Sequence, residues 1–469
     1  MTQPDLAAYQ ASRRPAAPAL AAGSLTLTWT DLDARTADTA SRLAASGVRP
    51  GQRVAIPLGT NPDSVAVLFA LSRLGAIMIP LAPQAPGAEH DALVGRAHAD
   101  HVLTLGRLGK ADPDGGFVTR PVAGHEAQAI VFTSGSTGKP KGTILTRANL
   151  EAGAHASADV LHLTAEDRWL ACLPFHHVGG LSVFIRSGLI GFPVITVPNF
   201  DAATVSTAID RNEATVVSLV PTMLHRMLDD GWKGAPTLRV VLLGGAPCPE
   251  PLLDEALARD IPVAPTYGLT EAASQVTTLP PWEVKAHRGT YGRSLPGTLV
   301  RIGETPESFE APGTPGPIWV AGLSVARASL EGPITDERGW LATGDIGAVD
   351  ADSYLSVIGR ADDVILSGGE KVVPSEVEAA LVEHADVREA AVIGVADPEW
   401  GEQVVAVVTP TEGSLPDGDD LRAYLKERLE PHKVPRRIIV IHDELPRTGP
   451  AKIDRVTLKR LASSADEGD

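Results

Sequence analysis

The chain has 469 residues, of which 43% are hydrophobic and 21% charged, a composition typical of a globular rather than a disordered protein. Its formal net charge of −17 argues against nucleic-acid binding, which needs a basic face, but leaves room for a local anion site. Two cysteines are too few for a disulfide framework, and the N-terminus has no basic segment followed by an apolar one. The longest apolar run, near residues 65–80, is interrupted by Arg73 and Gly75. We therefore expect a cytoplasmic protein without a signal peptide or a membrane span.

Apolar periodicity predicts alternating strands and helices over the first hundred residues. Strands are predicted at 54–58, 76–81 and 102–105, and a helix at 64–74. The strand–helix–strand order indicates a parallel βαβ unit.

Further strands, each followed by a polar or glycine cluster, are predicted at 215–220, 240–243 and 261–263. A helix is predicted at 146–158, with Asn149 as its cap. This repetition predicts an α/β fold whose ligands lie beyond the carboxyl ends of the strands.

After about residue 290 the sequence changes to short strands and turns, and beyond residues 360–363 a smaller unit begins. That unit reads α-β-β-α-β from a capping box over Ser375–Glu378, which predicts a compact α+β domain. We predict two domains. Residues 1–361 form a large N-terminal domain of α/β subdomains plus a β-rich part, and residues 362–469 form a small C-terminal domain.

A phosphate-binding loop is predicted where the apolar strand over 129–132 stops, in the segment V-F-T-S-G-S-T-G-K-P-K-G. Glycines let backbone N–H groups converge on an anion, while hydroxyl and ammonium groups add donors and charge. A Walker A loop is excluded, because Pro140 stands where a hydroxyl residue should follow the Gly-Lys pair. A plain surface turn is the alternative. The candidate ligands are Thr133, Ser134, Gly135, Ser136, Thr137, Gly138, Lys139 and Lys141.

The order T-S-G-S-T-G-x-P-K-G resembles the signature loop of the adenylate-forming superfamily, which includes acyl-CoA synthetases, firefly-luciferase-like enzymes and peptide-synthetase adenylation domains. Five further segments match this family in order, and the six together span about residues 130–455. The resemblance implies ATP, Mg²⁺ and CoA as cofactor or co-substrates. It also implies a carboxylic acid substrate, an acyl-AMP intermediate and a mobile C-terminal domain.

The same resemblance assigns nucleotide contacts. It implies that Tyr267 lies against adenine, that Thr270 acts at the α-phosphate and that Glu271 holds Mg²⁺, which suits an ion that prefers one or two carboxylates plus phosphate oxygens. Taken alone, Tyr267 is a half-buried strand-end aromatic and Glu271 a solvated helix-start carboxylate. The resemblance implies three further groups of nucleotide contacts. The adenine wall is Gly244, Gly245, Ala246 and Pro247, the residues on either side of Tyr267 are Thr266 and Gly268, and the ribose contacts are Asp345 and Arg360.

Three C-terminal features carry the remaining chemistry that the resemblance implies. Lys452 is the catalytic lysine, although Ala451 stands where the family has glycine, which leaves its geometry open. Asp362 is the hinge between the domains, and Gly368 and Gly369 line the tunnel for the pantetheine arm of CoA. The alternatives are an exposed lysine, an ordinary linker and a simple turn.

A finer resemblance concerns the acid. L-P-F-H-H-V-G-G-L-S, V-S-L-V-P-T-M-L and Y-G-L-T-E-A-A-S-Q are similar to segments of the 2-succinylbenzoate–CoA ligases of menaquinone biosynthesis, whose substrate is an aromatic dicarboxylate. It implies that His177 gates or packs against the acid. Arg186, a lone cation among apolar residues, is either a rim salt bridge or the anchor of the second carboxylate. Ser274 and Gln275 are candidate polar contacts for the same group.

Other functions stay open at this point. The chain is also compatible with an aryl- or fatty-acyl-CoA ligase, or with a stand-alone adenylation enzyme that loads a carrier protein. A luciferase-type oxygenase has no supporting feature, and a nucleotide sensor would not require both Glu271 and Lys452. The oligomeric state is open, with a homodimer as one alternative.

Overall fold

The computed structural model describes residues 5–110, 122–133, 140–308, 310–448 and 452–464. Its helices are α1 Leu6–Arg13, α2 Trp29–Ala45, α3 Pro62–Leu74, α4 Gly87–Ala97, α5 Arg147–Val160, α6 Val178–Ile190, α7 Ala202–Asn212, α8 Pro221–Asp229, α9 Glu250–Ala258, α10 Pro374–Val382, α11 Gly418–Lys426 and α12 Arg455–Ser464. Its strands are β1 Pro18–Ala22, β2 Leu25–Thr28, β3 Arg53–Pro57, β4 Ile77–Leu81, β5 His101–Val102, β6 Ala127–Thr133, β7 Lys141–Thr146, β8 Trp169–Ala171, β9 Val194–Thr196, β10 Val216–Leu219, β11 Val240–Leu243, β12 Val263–Leu269, β13 Ser274–Thr278, β14 Arg293–Ser294, β15 Thr298–Ile302, β16 Gly316–Gly322, β17 Ala328–Ser329, β18 Gly332–Pro333, β19 Leu341–Val349, β20 Leu355–Arg360, β21 Ile365–Ser367, β22 Glu370–Val372, β23 Val387–Asp397, β24 Gly401–Pro410, β25 Arg437–Val440, β26 Arg447–Thr448 and β27 Lys452–Ile453.

Two large sheets form the α/β part of the chain. One has the strand order β18-β17-β7-β6-β4-β3-β5, and the other β14-β13-β12-β11-β10-β8-β9-β1-β2. Helices α3 and α6 are buried along most of their length because apolar side chains occur all round them, as expected for helices that pack between sheets. Strands β8, β10, β11 and β12 run parallel, so their carboxyl ends meet at one edge, and this edge carries the candidate site.

A β-rich part follows, with the antiparallel order β15-β16-β19-β20 and its own small core around Ile318, Val320 and Leu341. The α/β fold class with a β-rich part and a smaller C-terminal unit is thus confirmed. A 3₁₀ turn at Ala361–Asp363 leaves β20 and enters the C-terminal unit.

The C-terminal unit has the order β22-β21-β24-β23, with β25 on β24, and buries apolar residues of α10 and α11 in a core of its own. The predicted α-β-β-α-β order is present in α10, β23, β24, α11 and β25. A separate core is what an independent domain needs, and the boundary at residues 361/362 stays a prediction.

Local differences from the predictions have identifiable causes. Thr146, rather than Asn149, caps α5, and Asn149 is the third helical residue whose side chain bonds back to Thr146. Ser375 does not cap α10: its hydroxyl donates to the carbonyl of Ile358, which ties the C-terminal unit to β20. The strand predicted at 102–105 is limited to β5, because the chain turns into a 3₁₀ helix at Leu105–Arg107. Along the residues that the structure describes, no helix is long and apolar enough to cross a membrane.

Candidate active site

The site is built first by a glycine turn at the end of β11. Gly244 lies against the next strand so closely that a Cβ placed on it would be 2.7 Å from Cγ2 and 3.1 Å from the carbonyl oxygen of Thr266. Only a residue without a side chain permits this approach. Gly245 has φ +83°, a left-handed conformation that also favours glycine. Gly244–Pro247 thus bend away after β11, and their role as an adenine wall stays a prediction.

The centre of the site is a cluster of Tyr267, Asp345 and Arg360, contributed by β12, β19 and β20. The Tyr267 hydroxyl donates to Asp345 Oδ2 at 2.5 Å, and Arg360 Nη1 donates to Asp345 Oδ1 at 3.1 Å. Asp345 and Arg360 are cross-strand partners in the β19–β20 register, which explains their contact. The structure thus brings together the residues assigned to adenine and ribose, although they are up to 93 positions apart in sequence.

The protonation states of this cluster leave the Asp345 carboxylate able to accept hydrogen bonds from the hydroxyl groups of a ligand. Burial, together with the nearby Asp345 carboxylate, raises the pKa of Tyr267 well above its usual value, so the phenol stays protonated and donates. Asp345 uses one lone pair on each oxygen for its protein partners. A carboxylate offers about four acceptor positions, so two hydroxyl donors can still be accepted. Among the described residues the Asp345 carboxylate bonds to Tyr267 and Arg360 and not to its own backbone.

We expect the substitution Asp345→Asn to raise the KM for ATP by about ten- to a hundredfold, the cost of losing hydrogen bonds to a charged acceptor. The amide keeps the size of the carboxylate but offers one acceptor oxygen and places N–H donors opposite Arg360. Initial-rate kinetics at saturating acid measure the effect. Asp350→Asn is the matched control, since Asp350 accepts backbone N–H groups in the turn that follows β19. An ATP KM equal to that of the control would contradict the ribose assignment.

The two ends of the predicted phosphate loop lie side by side. Thr133 ends β6 and Lys141 begins β7, and the two are register partners in the antiparallel pair. A loop held between paired strands is fixed at both ends, as a ligand-binding loop requires. Ser134, Gly135, Ser136, Thr137, Gly138 and Lys139 lie outside the described residues.

Thr270 and Glu271 occupy a 3₁₀ turn between β12 and β13. The carbonyl of Glu271 accepts from Ala326, and the two residues after the turn, Ala273 and Ser274, have φ of +55° and +115°. Ser274 is therefore held in a conformation that residues with side chains rarely adopt, and such strain occurs at functional sites. The strand predicted at 261–263 was wrong in extent: β12 begins at Val263 and continues through Leu269, and its residues from Thr266 onward pair with β13.

Magnesium would be held by Glu271 together with phosphate oxygens. Among the described residues no cluster of three or more His, Cys, Asp or Glu side chains forms a protein cage for a metal. The turn that carries Glu271 contacts β7, the strand that follows the predicted phosphate loop. A single carboxylate fits Mg²⁺, which keeps several waters and takes phosphate ligands. The donor set is thus compatible with the metal implied by the sequence.

Arg186 is a buried cation on α6, with 1% of its surface exposed. Its guanidinium donates to Ser182 Oγ at 3.0 Å and to Gln275 Oε1 at 2.8 Å, and it lies 5.1 Å from the centroid of the Trp169 ring. No carboxylate in the described part of the chain pairs with it, and its Nε has no partner there. Burial lowers the pKa of Arg186 to about 9. The rim salt bridge is therefore wrong, and the anchor stays a prediction.

His176 and His177 precede α6, and their ring centroids are 4.2 Å apart. Burial lowers the pKa of both residues, that of His176 to about 4, so both rings are neutral at pH 7. A neutral His177 can pack against an acyl group without a charge to compensate. It stays a candidate for the mouth of the acid pocket.

The C-terminal candidates lie on two hairpins and a turn. Asp362 is in the 3₁₀ turn after β20 and is 3.4 Å from Arg360. Gly368 and Gly369 form the two-residue turn between β21 and β22 and both have positive φ, as a tight hairpin requires. The backbone of Lys452 begins β27; its side chain and Ala451 lie outside the described part of the chain.

Sequence reasoning missed Thr343, Ser182 and Thr278. The Thr343 carbonyl accepts from Arg360 at 3.0 Å, and its hydroxyl accepts from the Asp345 backbone at 3.1 Å. Its position two residues before Asp345 was the available signal. Ser182 and Thr278 are known only from tertiary contacts.

Comparison with known proteins agrees with this geometry. Residues 7–330 match the family of AMP-binding enzymes, and residues 376–452 match the C-terminal domain of AMP-binding enzymes. The chain belongs to the AMP-binding enzyme family. It is similar to the 2-succinylbenzoate–CoA ligase of Geobacillus kaustophilus, with 36% identity over 489 residues, covering 99% of each chain.

Solved structures of the o-succinylbenzoate CoA synthetase of Bacillus subtilis are also similar. The complex with the acyl-adenylate intermediate OSB-AMP has a TM-score of 0.89 at 32% identity and covers 97% of this chain and 98% of that one. The complex with ATP and magnesium ion also has a TM-score of 0.89, at 31% identity, covering 97% and 99%. A double mutant bound with the product analogue OSB-NCoA has 32% identity and covers 97% and 98%, but its TM-score is 0.72.

Proposed function

We propose that this chain is an AMP-forming acid–CoA ligase that acts on 2-succinylbenzoate and serves menaquinone biosynthesis. The observation that carries the proposal is the end-to-end similarity to ligases of that name, over 99% of this chain and 99% of the relative. The Tyr267–Asp345–Arg360 cluster supplies a nucleotide site of the kind that such a ligase needs.

In the first half-reaction a carboxylate oxygen of the acid attacks the α-phosphorus of ATP, and the bond to pyrophosphate breaks. Asp345 and Arg360 hold the ribose side of the nucleotide, Tyr267 lies against the base, and Thr270 and the loop with Thr133 and Lys141 contact the phosphates. Mg²⁺, when bound, neutralises phosphate charge. Lys452 bridges the acid and the α-phosphate as negative charge shifts between them.

In the second half-reaction the CoA thiol attacks the acyl carbonyl, its proton is released, and AMP leaves. Gly368 and Gly369 form a turn without side chains, which suits the passage of a slim pantetheine arm. The C-terminal unit has to bring first Lys452 and then this turn to the same site, so a hinge between the units is required.

The described arrangement corresponds to the first half-reaction. The chain resembles the acyl-adenylate complex of the Bacillus subtilis protein more than its complex with the product analogue, although identity and coverage are equal. Arg226 at the end of α8 donates to both carboxylate oxygens of Glu444, at 2.9 and 3.1 Å. Glu444 belongs to the segment that leads to Lys452, so this segment contacts the large unit in the described arrangement.

The acid pocket takes its specificity from Arg186. A buried guanidinium with neutral protein partners is stabilised by an incoming carboxylate, and 2-succinylbenzoate has a second carboxylate that does not react. Neighbouring side chains must move to admit it, because the guanidinium is 1% exposed. Ser274 and Gln275 on β13 add polar contacts, and His177 packs at the pocket mouth.

The test is pyrophosphate release with MgATP and a panel of acids, each with and without CoA. The panel comprises 2-succinylbenzoate, benzoate, coumarate, and short and long fatty acids. We expect release and thioester formation that depend on CoA, with 2-succinylbenzoate alone. Turnover of another acid would keep the chemistry and overturn the substrate. Pyrophosphate release without a CoA thioester would move the protein to the carrier-loading class.

We also propose that the protein is cytoplasmic and forms a homodimer. Both cysteines, Cys172 and Cys248, are free thiols, which suits a reducing compartment. Size-exclusion chromatography with light scattering decides the oligomeric state.

A further inference from the structure

A directed chain of hydrogen bonds runs from the buried cation on α6 to the nucleotide strand β12. Arg186 donates to Gln275 Oε1 at 2.8 Å, and Gln275 Nε2 donates to Thr278 Oγ1 at 2.6 Å. The Thr278 and Thr266 hydroxyls are 3.0 Å apart, and the chain ends where Thr266 donates to the carbonyl of Thr277 at 2.7 Å.

The donor of every link is determined. A hydroxyl has one proton, and Thr266 uses its proton on the carbonyl of Thr277, so in the Thr266–Thr278 contact Thr278 must donate. Thr278 is therefore the member that accepts from the Gln275 amide and donates to Thr266. Its side chain is buried, with 2% exposed, so water cannot replace either bond.

We propose that Thr278 is a positioning residue of the acid pocket: its hydroxyl holds the Gln275 amide in the orientation that presents an acceptor to Arg186. This inference rests on the proposed role of Arg186 in binding the acid. Without Thr278 the Gln275 amide loses its acceptor and is free to rotate, and rotation by half a turn would place N–H groups against the guanidinium. The nucleotide side is less affected, because Thr266 keeps its own bond to Thr277.

The neighbouring Thr277 provides a matched control. It is on the same strand and is fully buried, and its hydroxyl has no hydrogen-bond partner among the described residues. Its backbone carbonyl, which ends the chain, is unchanged by a side-chain substitution. Thr277→Val thus removes the same hydroxyl at the same depth without breaking the chain.

The experiment measures KM for the acid, KM for ATP and kcat for pyrophosphate release, using the acid that the wild-type protein turns over. We expect Thr278→Val to raise KM for the acid about tenfold, the loss expected for an unsatisfied buried donor, with KM for ATP within about twofold. Thr278→Ser keeps the hydroxyl and should restore the acid KM, and Thr277→Val should resemble the wild type.

A second test uses Arg186→Gln. If Thr278 acts through Arg186, Thr278→Val should add little to the acid KM in the Arg186→Gln background, since the group that it positions is already absent. Independent, additive effects would overturn the inference.

Three other results would overturn it as well. These are an equal acid KM for Thr278→Val and Thr277→Val, no rescue by serine, or a parallel rise in the KM for acid and ATP. Should the valine variant not fold, Thr278→Ala and Thr278→Ser give the same comparison. Failure of the proposed function shows in the acid panel with the wild-type protein, whereas failure of this inference shows only between the variants.

Discussion

Replacing Lys452 by alanine is expected to lower acyl-AMP formation by about 10²–10³-fold, the range for removing one preorganised group that stabilises transition-state charge. Thioester formation from supplied acyl-AMP should stay close to that of the wild type, because the phosphate–acyl bond is by then already formed. The two half-reactions are measured separately, by pyrophosphate exchange and by CoA thioester release from synthetic acyl-adenylate.

The control for this prediction is Lys426→Ala, which removes an exposed lysine of α11 in the same C-terminal unit. Both variants therefore have the same net charge. An equal loss of both half-reactions in Lys452→Ala would refute a role confined to adenylation. Since Ala451 replaces the glycine of the family pattern, Ala451→Gly is an informative partner. Unchanged adenylation in that variant would show that the alanine does not impair the position of the lysine.

Asp362→Pro is expected to suppress one half-reaction by about 100-fold or more and to spare the other. A loss of this size is expected when only about one molecule in a hundred still adopts the domain arrangement that the suppressed step requires. Proline fixes φ near −65° and restricts the residue before it, so the turn at Ala361–Asp363 could no longer change conformation. Because the described arrangement resembles the acyl-adenylate complex, thioester formation should be the step that is lost.

The matched variant is Asp362→Ala, which removes the same carboxylate, and with it the 3.4 Å contact with Arg360, but leaves φ free. It should keep both half-reactions near wild-type rates. If the proline and alanine variants behave alike, residue 362 is not the hinge. A C-terminal unit that moves should also give small-angle scattering profiles that differ between acyl-AMP and CoA complexes in the wild type, and not in Asp362→Pro.

The sequence predicted the class of the protein because its chemistry is local. The predicted phosphate, ribose and magnesium contacts belong to short segments in which several functional groups are adjacent, such as the loop before Lys141 and the turn with Glu271. The strand over 240–243 and the helix over 64–74, which the structure extends to Pro62–Leu74, were also predictable, since burial on all sides leaves a continuous apolar run in the sequence.

Prediction was less accurate where the same sequence pattern is compatible with two different local structures. Residues 266–269 are polar and glycine-containing, which indicated a loop after a strand, yet they continue β12 because pairing with β13 satisfies their backbone groups. Ser375 and Glu378 have the spacing of a capping box, but both side chains are used elsewhere. Ser375 bonds to Ile358, and Glu378 pairs with Arg455 at 2.7 Å. Propensity was overridden by tertiary partners.

The sequence by itself determined the family and the two-step chemistry, and it predicted the residues that meet the nucleotide, because these depend on which groups follow one another along the chain. Only the tertiary structure decided the environment of Arg186. Its burial, its neutral partners and the chain through Gln275 and Thr278 join α6 to β13, which are about 90 residues apart. No local sequence pattern indicates a contact between residues so far apart in the chain. The sequence determines that residue 186 carries a positive charge. The free-energy cost of burying that charge, and the ligand that it can bind, depend on the side chains that pack around it.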